Sequence, residues 1–173
     1  MAAIHPLNAS GDSYPLDPQL AHMRLPPHSL EAEQAVLGGL LLDNGAWDRI
    51  GDVVSESDLY RQDHRQILRA IIRQIADNRP ADAVTVAEAL QSLGELENVG
   101  GLAYIVALAS NTPSAANIRR YAEIVRERAV MRRLAEVATG IADSAYSPAG
   151  RPASQLLDEA EAKIFEIAES GSR

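Results

Sequence analysis

No cysteine occurs in the 173 residues, which rules out a disulfide framework, a thiolate nucleophile and any Cys-ligated zinc or iron–sulfur site. Aromatic residues are nearly as scarce: one Phe, one Trp and five Tyr make up 4% of a chain that is 46% hydrophobic. The core must therefore be filled by Leu, Ile, Val and Ala, which suits packed helices. Long apolar runs are missing too. The longest, Val99 to Ala109 with its glycines counted, has eleven residues against the ~20 needed to span a bilayer. An export signal is not visible either, because the first basic residue is Arg24 and Pro6, Pro15 and Pro18 interrupt the stretch before it. A cytoplasmic protein is expected. Basic residues are the minority class, and a formal net charge of −8 repels phosphate backbones at long range. A protein partner is favoured over nucleic acid.

What is present is helical punctuation. Residues 1 to 24, with scattered Pro, Gly and Ser and no apolar period, read as a disordered lead-in. Ser29 is placed to cap a first helix after Pro26-Pro27, with Glu31 and Glu33 at its positive end and Leu30, Leu37, Leu40 and Leu41 on one face. Asn44-Gly45 marks a turn. Asp63 and Gln66 suggest a capping box for a helix whose Ile67, Leu68, Ile71, Ile72 and Ile75 share a face, ended by Asn78 to Pro80. Thr85 and Glu88 suggest a second box, opening a helix with Val86, Leu90 and Leu93 inward and Gly94 as its stop. A further helix after Gly100-Gly101 carries Leu102, Ile105 and Leu108. Together these elements predict a small bundle over 25–111.

From 112 the pattern changes. Thr112-Pro113 is a helix-start signal, and no Gly or Pro follows until Gly140, so one helix of about 33 residues, roughly 50 Å long, is predicted to about Tyr146. It is longer than the bundle should be wide and must project. Met131, Leu134, Ala138, Ile141 and Ala145 recur at coiled-coil spacing. After the break from Ser147 to Pro152 a last helix repeats the device with Ala153, Leu157, Ala160, Ile164 and Ile167. The two make an antiparallel hairpin over 112–170, with 171–173 beginning a linker. Leu156 and Phe165, with Val130 and Val137, fall off these seams, either folding back on the bundle or meeting hairpins of other subunits.

Chemistry-bearing patterns are few. His5, His22, His28 and His64 stand in no HxxxH, ExxH or HExxH arrangement, so no metal site is expected; His64, just inside a helix start, reads as a partly exposed packing or capping residue. Asp158, Glu159 and Glu161 suit the start of the last helix as a solvated face. Gly38-Gly39 lies inside a helix, and Lys163, the only lysine, follows no glycine loop, so no phosphate cradle or other catalytic residue is assigned. Six arginines (Arg119, Arg120, Arg126, Arg128, Arg132, Arg133) crowd one stretch of the long helix. Pairs such as Arg119 with Glu123, Glu123 with Arg126 and Arg132 with Glu136 would absorb much of that charge, although a phosphate-contacting stripe is the competing reading.

The runs LPPHSLEAEQAVLGGLLLDNGAWD (25–48), DAVTVAEAL (82–90), VGGLAYI (99–105) and above all NTPSAANIRRYAEIVRERAV (111–130) resemble the N-terminal part of the DnaB replicative helicase family. The resemblance covers about 25 to 170. It implies an all-α fold, a small helical bundle followed by a long antiparallel hairpin, serving as the collar of a hexameric DNA helicase arranged as a trimer of dimers. It implies a docking site for the C-terminal domain of primase, to which we assign Tyr104, Ile141, Tyr146 and Leu156. To the oligomer interface we assign Val130, Leu134, Val137, Leu157, Ile164 and Phe165. ATP and Mg²⁺ would belong to a RecA-like motor domain. The chain stops at Arg173 before any Walker motif, so no cofactor and no enzymatic activity are expected of these residues, and DNA is expected to be bound only weakly or indirectly. The alternative is a free-standing helical DNA-binding protein, whose affinity would fall steeply with salt.

Overall fold

The computed structural model describes residues 24–172; the lead-in expected to be disordered, apart from Arg24, lies outside them, as does Arg173. Seven α-helices and no strand occur among the described residues: α1 (Leu30–Leu42), α2 (Trp47–Ile50), α3 (Gln62–Ala76), α4 (Ala83–Ser92), α5 (Gly101–Ser110), α6 (Ile118–Tyr146) and α7 (Ala153–Gly171). The bundle and hairpin read from sequence are both there.

Helix α1 is the axle of the bundle. Ser29 caps it, its hydroxyl oxygen accepting from the Ala32 N–H at 3.3 Å. It packs against α3, α5 and α6, so burial extends beyond the one face expected: Val36, Leu37 and Leu40 are all sealed from solvent, as befits a helix apolar on most sides. Gly38 and Gly39 permit the close approach. A Cβ at Gly38 would strike the Thr112 side chain and the Leu108 carbonyl, and one at Gly39 would lie 2.9 Å from Ile118 Cδ1. Helix α3 presents Ile67, Leu68 and Ile71 to this core, and α4 presents Val86 and Leu90. Leu93, expected inward, is exposed because α4 ends at Ser92 and Gly94 (φ 71°) turns the chain away.

Several start signals act differently from the sequence expectation. Asp63 and Gln66 form no capping box. Instead the Glu33 carboxylate, from α1, accepts from the Tyr60 and Arg61 N–H groups ahead of α3 at 3.0 and 3.4 Å. The box at α4 lies three residues earlier than expected: Asp82 accepts from the Thr85 N–H at 2.9 Å and Thr85 Oγ1 accepts from the Asp82 N–H at 3.0 Å. Thr112 does not cap α6. Its hydroxyl donates back to the Leu108 carbonyl at 2.9 Å, and α6 starts at Ile118, giving 29 residues rather than the longer helix expected.

The first turns of α6 belong to the bundle, since Ile118, Ala122 and Val125 are buried in its core. Beyond them α6 runs out with α7, whose principal packing partner is α6. The turn between the two carries Ala149 at φ 52° and Gly150 at φ 81°.

Candidate functional site

Two surfaces hold the residues singled out by sequence. The first is a groove of about 470 Å³ between α1, α5 and α6, walled by Tyr104, Tyr121, Asn111 and Asn117. Tyr104 reaches it from α5 with its hydroxyl fixed from behind. His64 Nε2 lies 2.6 Å from the phenolic oxygen, and the Gln34 amide donates to that oxygen at 3.4 Å. His64 Nδ1 in turn lies 3.1 Å from Glu33 Oε1. Because Glu33 acts as acceptor, Nδ1 donates to it; when the imidazole carries that one proton, Nε2 is left to accept from the tyrosine O–H. His64 and Glu33 are 0% and 1% exposed, so His64, expected to be a partly exposed packing or capping residue, is fully buried. The Arg61 guanidinium sits 5.7 Å from the Tyr104 ring centroid. Its hydrogen bond to Asp63 holds its pKa above the usual arginine value, with attraction from Tyr104 and Glu33 adding to that and partial burial opposing it.

The arginine stretch is largely spent on holding α6 to the bundle. Arg119 donates to the Arg49 carbonyl at 2.8 Å and lies 3.7 Å from Glu123, as the spacing predicts. Arg126 pairs with Asp58 at 3.0 Å instead of Glu123, and Arg132 donates to the carbonyls of Pro27 and Asp58 at 2.8 and 2.5 Å instead of pairing with Glu136. Arg132 also lies 5.4 Å from the Tyr60 ring centroid, and His28 stacks on that ring at 4.4 Å. Only local periodicity is visible in sequence, so partners 68 or more residues away were out of its reach. Arg120 pairs with Glu123 at 3.4 Å, which leaves Arg128 and Arg133 as the members of the stretch that meet neither a carboxylate nor a backbone carbonyl among the described residues.

The second surface is the hairpin. Val130, Val137, Ile141 and Ser144 are the shielded positions of distal α6, and Leu156, Ala160 and Ile167 those of α7. The internal seam is therefore rotated by roughly 40–70° from the one expected, at 100° per residue. Ile141, Ala160 and Ile167 belong to both versions, whereas Val130, Val137 and Leu156, expected off the seam, lie in it. At the root of α6, Ile118, Ala122 and Val125 face the bundle. With the seam so rotated, Leu134 and Ile164 are each 49% exposed, Phe165 61% and Leu157 70%. Near the tip, Ile141, Leu156 and Ala145 line an apolar hollow of about 260 Å³, with Tyr146 at the end of α6 almost fully exposed.

The structure thus brings Ile141, Leu156 and Tyr146 together at one end and places Tyr104 elsewhere. Tyr121 shares the Tyr104 groove, and the 20 residues from it to Ile141 along α6 correspond to about 30 Å. Sequence reasoning missed Glu33 and His64 because a buried polar pair has no period, and their separation of 31 residues hides it.

Comparison with known proteins finds the family described as "DnaB-like helicase N terminal domain" over residues 25–127. The replicative DNA helicase DnaB of Haemophilus influenzae is 46% identical over 153 residues, 88% of this chain and 33% of that protein. That of Geobacillus stearothermophilus is 41% identical over 151 residues, 87% and 33%. This chain therefore spans about a third of the length of the curated relatives it matches. Among solved structures, the N-terminal domain of DnaB helicase from Mycobacterium tuberculosis superposes with a TM-score of 0.78 at 40% identity, covering 82% of this chain and 99% of that one. The structure of a DnaB-like replicative helicase and its interactions with primase shares the fold at a TM-score of 0.67 and 21% identity, covering 83% of this chain and 32% of the other.

Proposed function

The chain belongs to the family of DnaB-like helicase N-terminal domains, and on that premise we propose that it is a collar module that assembles with copies of itself through the hairpin and offers primase a docking site. In the complete helicase the assembly is a hexamer built as a trimer of dimers, and the ATP-driven motor lies in a separate domain. One observation carries the self-association. The hairpin closes over its own seam and still leaves Leu134, Leu157, Ile164 and Phe165 in water, each giving roughly 1.5–3 kcal/mol when fully buried. A second hairpin laid alongside offers the same residues in return, as a two-fold interface requires. DNA is at most an indirect partner, since the arginines that would read phosphate are mostly tied to the bundle.

Primase is assigned to the apolar hollow at the hairpin tip and to the Tyr104 groove. The distance between them suits a partner lying along the hairpin, or one bridging two protomers. Sedimentation of the wild type and Phe165→Asp over a range of concentrations tests the assembly: the variant should shift toward monomer while far-UV helicity stays intact. An unchanged mass would place the interface elsewhere. Titrating the C-terminal domain of primase into the wild type tests the docking, and absence of binding would remove that role while leaving the collar.

A further inference from the structure

We propose that Glu33 and His64 are positioning residues for docking: buried where no partner can touch them, they hold the Tyr104 ring in the orientation in which it meets primase. The inference rests on the docking role given to Tyr104 above and adds to it the means by which the anchor is fixed. A tyrosine at the rim of a groove ordinarily samples several rotamers and loses that freedom on binding. Tyr104 is constrained through its hydroxyl and over one face of its ring. Its hydroxyl is engaged by His64 Nε2 at 2.6 Å and by the Gln34 amide at 3.4 Å. Its ring lies parallel to the imidazole, 3° between planes with centroids 6.0 Å apart. Arg61 stands near its face. At its base, Gly100 leaves no room for a Cβ, which would fall 2.9 Å from Tyr104 Cβ and 3.1 Å from Cγ. Gly100 itself has φ 98°, a conformation other residues rarely adopt.

The imidazole is locked in its turn. Glu33 Oε1 gathers His64 Nδ1 and the Tyr60 and Arg61 N–H groups at 3.0–3.4 Å, so the position of the carboxylate is dictated by the start of α3. That places a proton on Nδ1, and with the ring singly protonated Nε2 accepts from tyrosine. Such a carboxylate–imidazole–hydroxyl chain is more than bundle stability asks for. A hydrophobic trio of the same volume would fill the space without the desolvation that buried polar groups carry. What the polar chain adds is direction: drawn from three different helices, it pins one hydroxyl from behind, and thereby sets the attitude of the ring that lines the open groove.

The test is a double-mutant cycle read by titrating the C-terminal domain of primase into the protein. His64→Leu and Tyr104→Ala are measured singly and together, with circular dichroism to confirm the fold. With Tyr104 present, His64→Leu should weaken binding roughly three- to tenfold, the loss expected when one side chain must be ordered anew. In the Tyr104→Ala background the same substitution should change nothing, because there is no ring left to aim. His64→Gln, which keeps an acceptor near the Nε2 position, should restore most of the affinity. Tyr104→Phe should cost as much as His64→Leu, and combining the two should cost no more; this pair also serves if His64→Leu does not fold alone. Wild-type affinity in both His64→Leu and Tyr104→Phe overturns the positioning role and leaves Tyr104 as a contact, provided Tyr104→Ala weakens binding. An equal loss from His64→Leu with and without the Tyr104→Ala substitution makes His64 merely structural, and overturns it as well. If Tyr104→Ala binds like the wild type, the docking assignment of Tyr104 fails, and the positioning role with it.

Discussion

The bundle and the hairpin are built from the same aliphatic alphabet and end in opposite states. In α3, the residues Ile67, Leu68 and Ile71 are sealed, because α1 and α4 lie against that helix. In α7 a comparable set, Leu157, Ile164 and Phe165, stands in water and only Ile167 is buried. Amphipathic periodicity states that a helix has an apolar side; it does not state how many neighbours will cover it. A helix with several partners becomes core, and a helix with one keeps part of its apolar side in solvent.

The widest gap is expected between Leu37→Ala and Leu157→Ala. The first leaves a cavity in the centre of the bundle and should lower unfolding free energy by about 2–5 kcal/mol. The second should change monomer stability by less than about 0.5 kcal/mol, while weakening self-association. Denaturant unfolding at low protein concentration checks both, and similar losses would mean that the hairpin is as much core as the bundle is. Gly38→Ala comes next, expected to cost about 1–3 kcal/mol, since α1 must back away from Leu108 and Thr112; a neutral result would show that the α1–α5 contact has slack. Asp82→Ala should cost about 1 kcal/mol by uncapping α4. The Thr85 N–H and hydroxyl hold the Asp82 pKa below the usual aspartate value. Its contribution is therefore complete above the ordinary aspartate range and lost as pH falls through the lowered value. The gap between wild type and variant should close in acid, and a gap that persists there would assign the effect to something other than the carboxylate.

The same comparison explains which features could be read in advance. Elements announced by local chemistry were legible: Ser29 as a cap, Gly94 as a stop, the break from Ser147 to Pro152 between two long helices. Features that depend on remote partners were not. Glu33 reaches from α1 to the N–H groups just ahead of α3, Arg126 and Arg132 reach Asp58 and Pro27, and His64 sits between two other helices. The hairpin seam was misplaced for a related reason. Each long helix carries two adjacent apolar stripes, and the spacing of residues within one helix does not say which stripe its neighbour will cover. The residues proposed for docking divide likewise, with Ile141, Tyr146 and Leu156 at the hairpin end and Tyr104 set apart by its place on α5.

In mechanical terms α6 is a cantilever. Its clamp extends from Ile118, buried in the bundle, to Arg132, bonded to Pro27 and Asp58, and the free arm from there to Tyr146 is about 21 Å. A rotation of about 5° at the clamp swings the tip by roughly 2 Å over such a length. Conversely, a load applied at the tip is borne by the Arg126–Asp58 pair and by the Arg132 bonds, and Asp58 passes it through its 2.8 Å bond from the Ser55 N–H into the segment 51–61 that joins α2 to α3. Whatever grips the far end of the hairpin thereby has leverage on the attitude of the whole bundle.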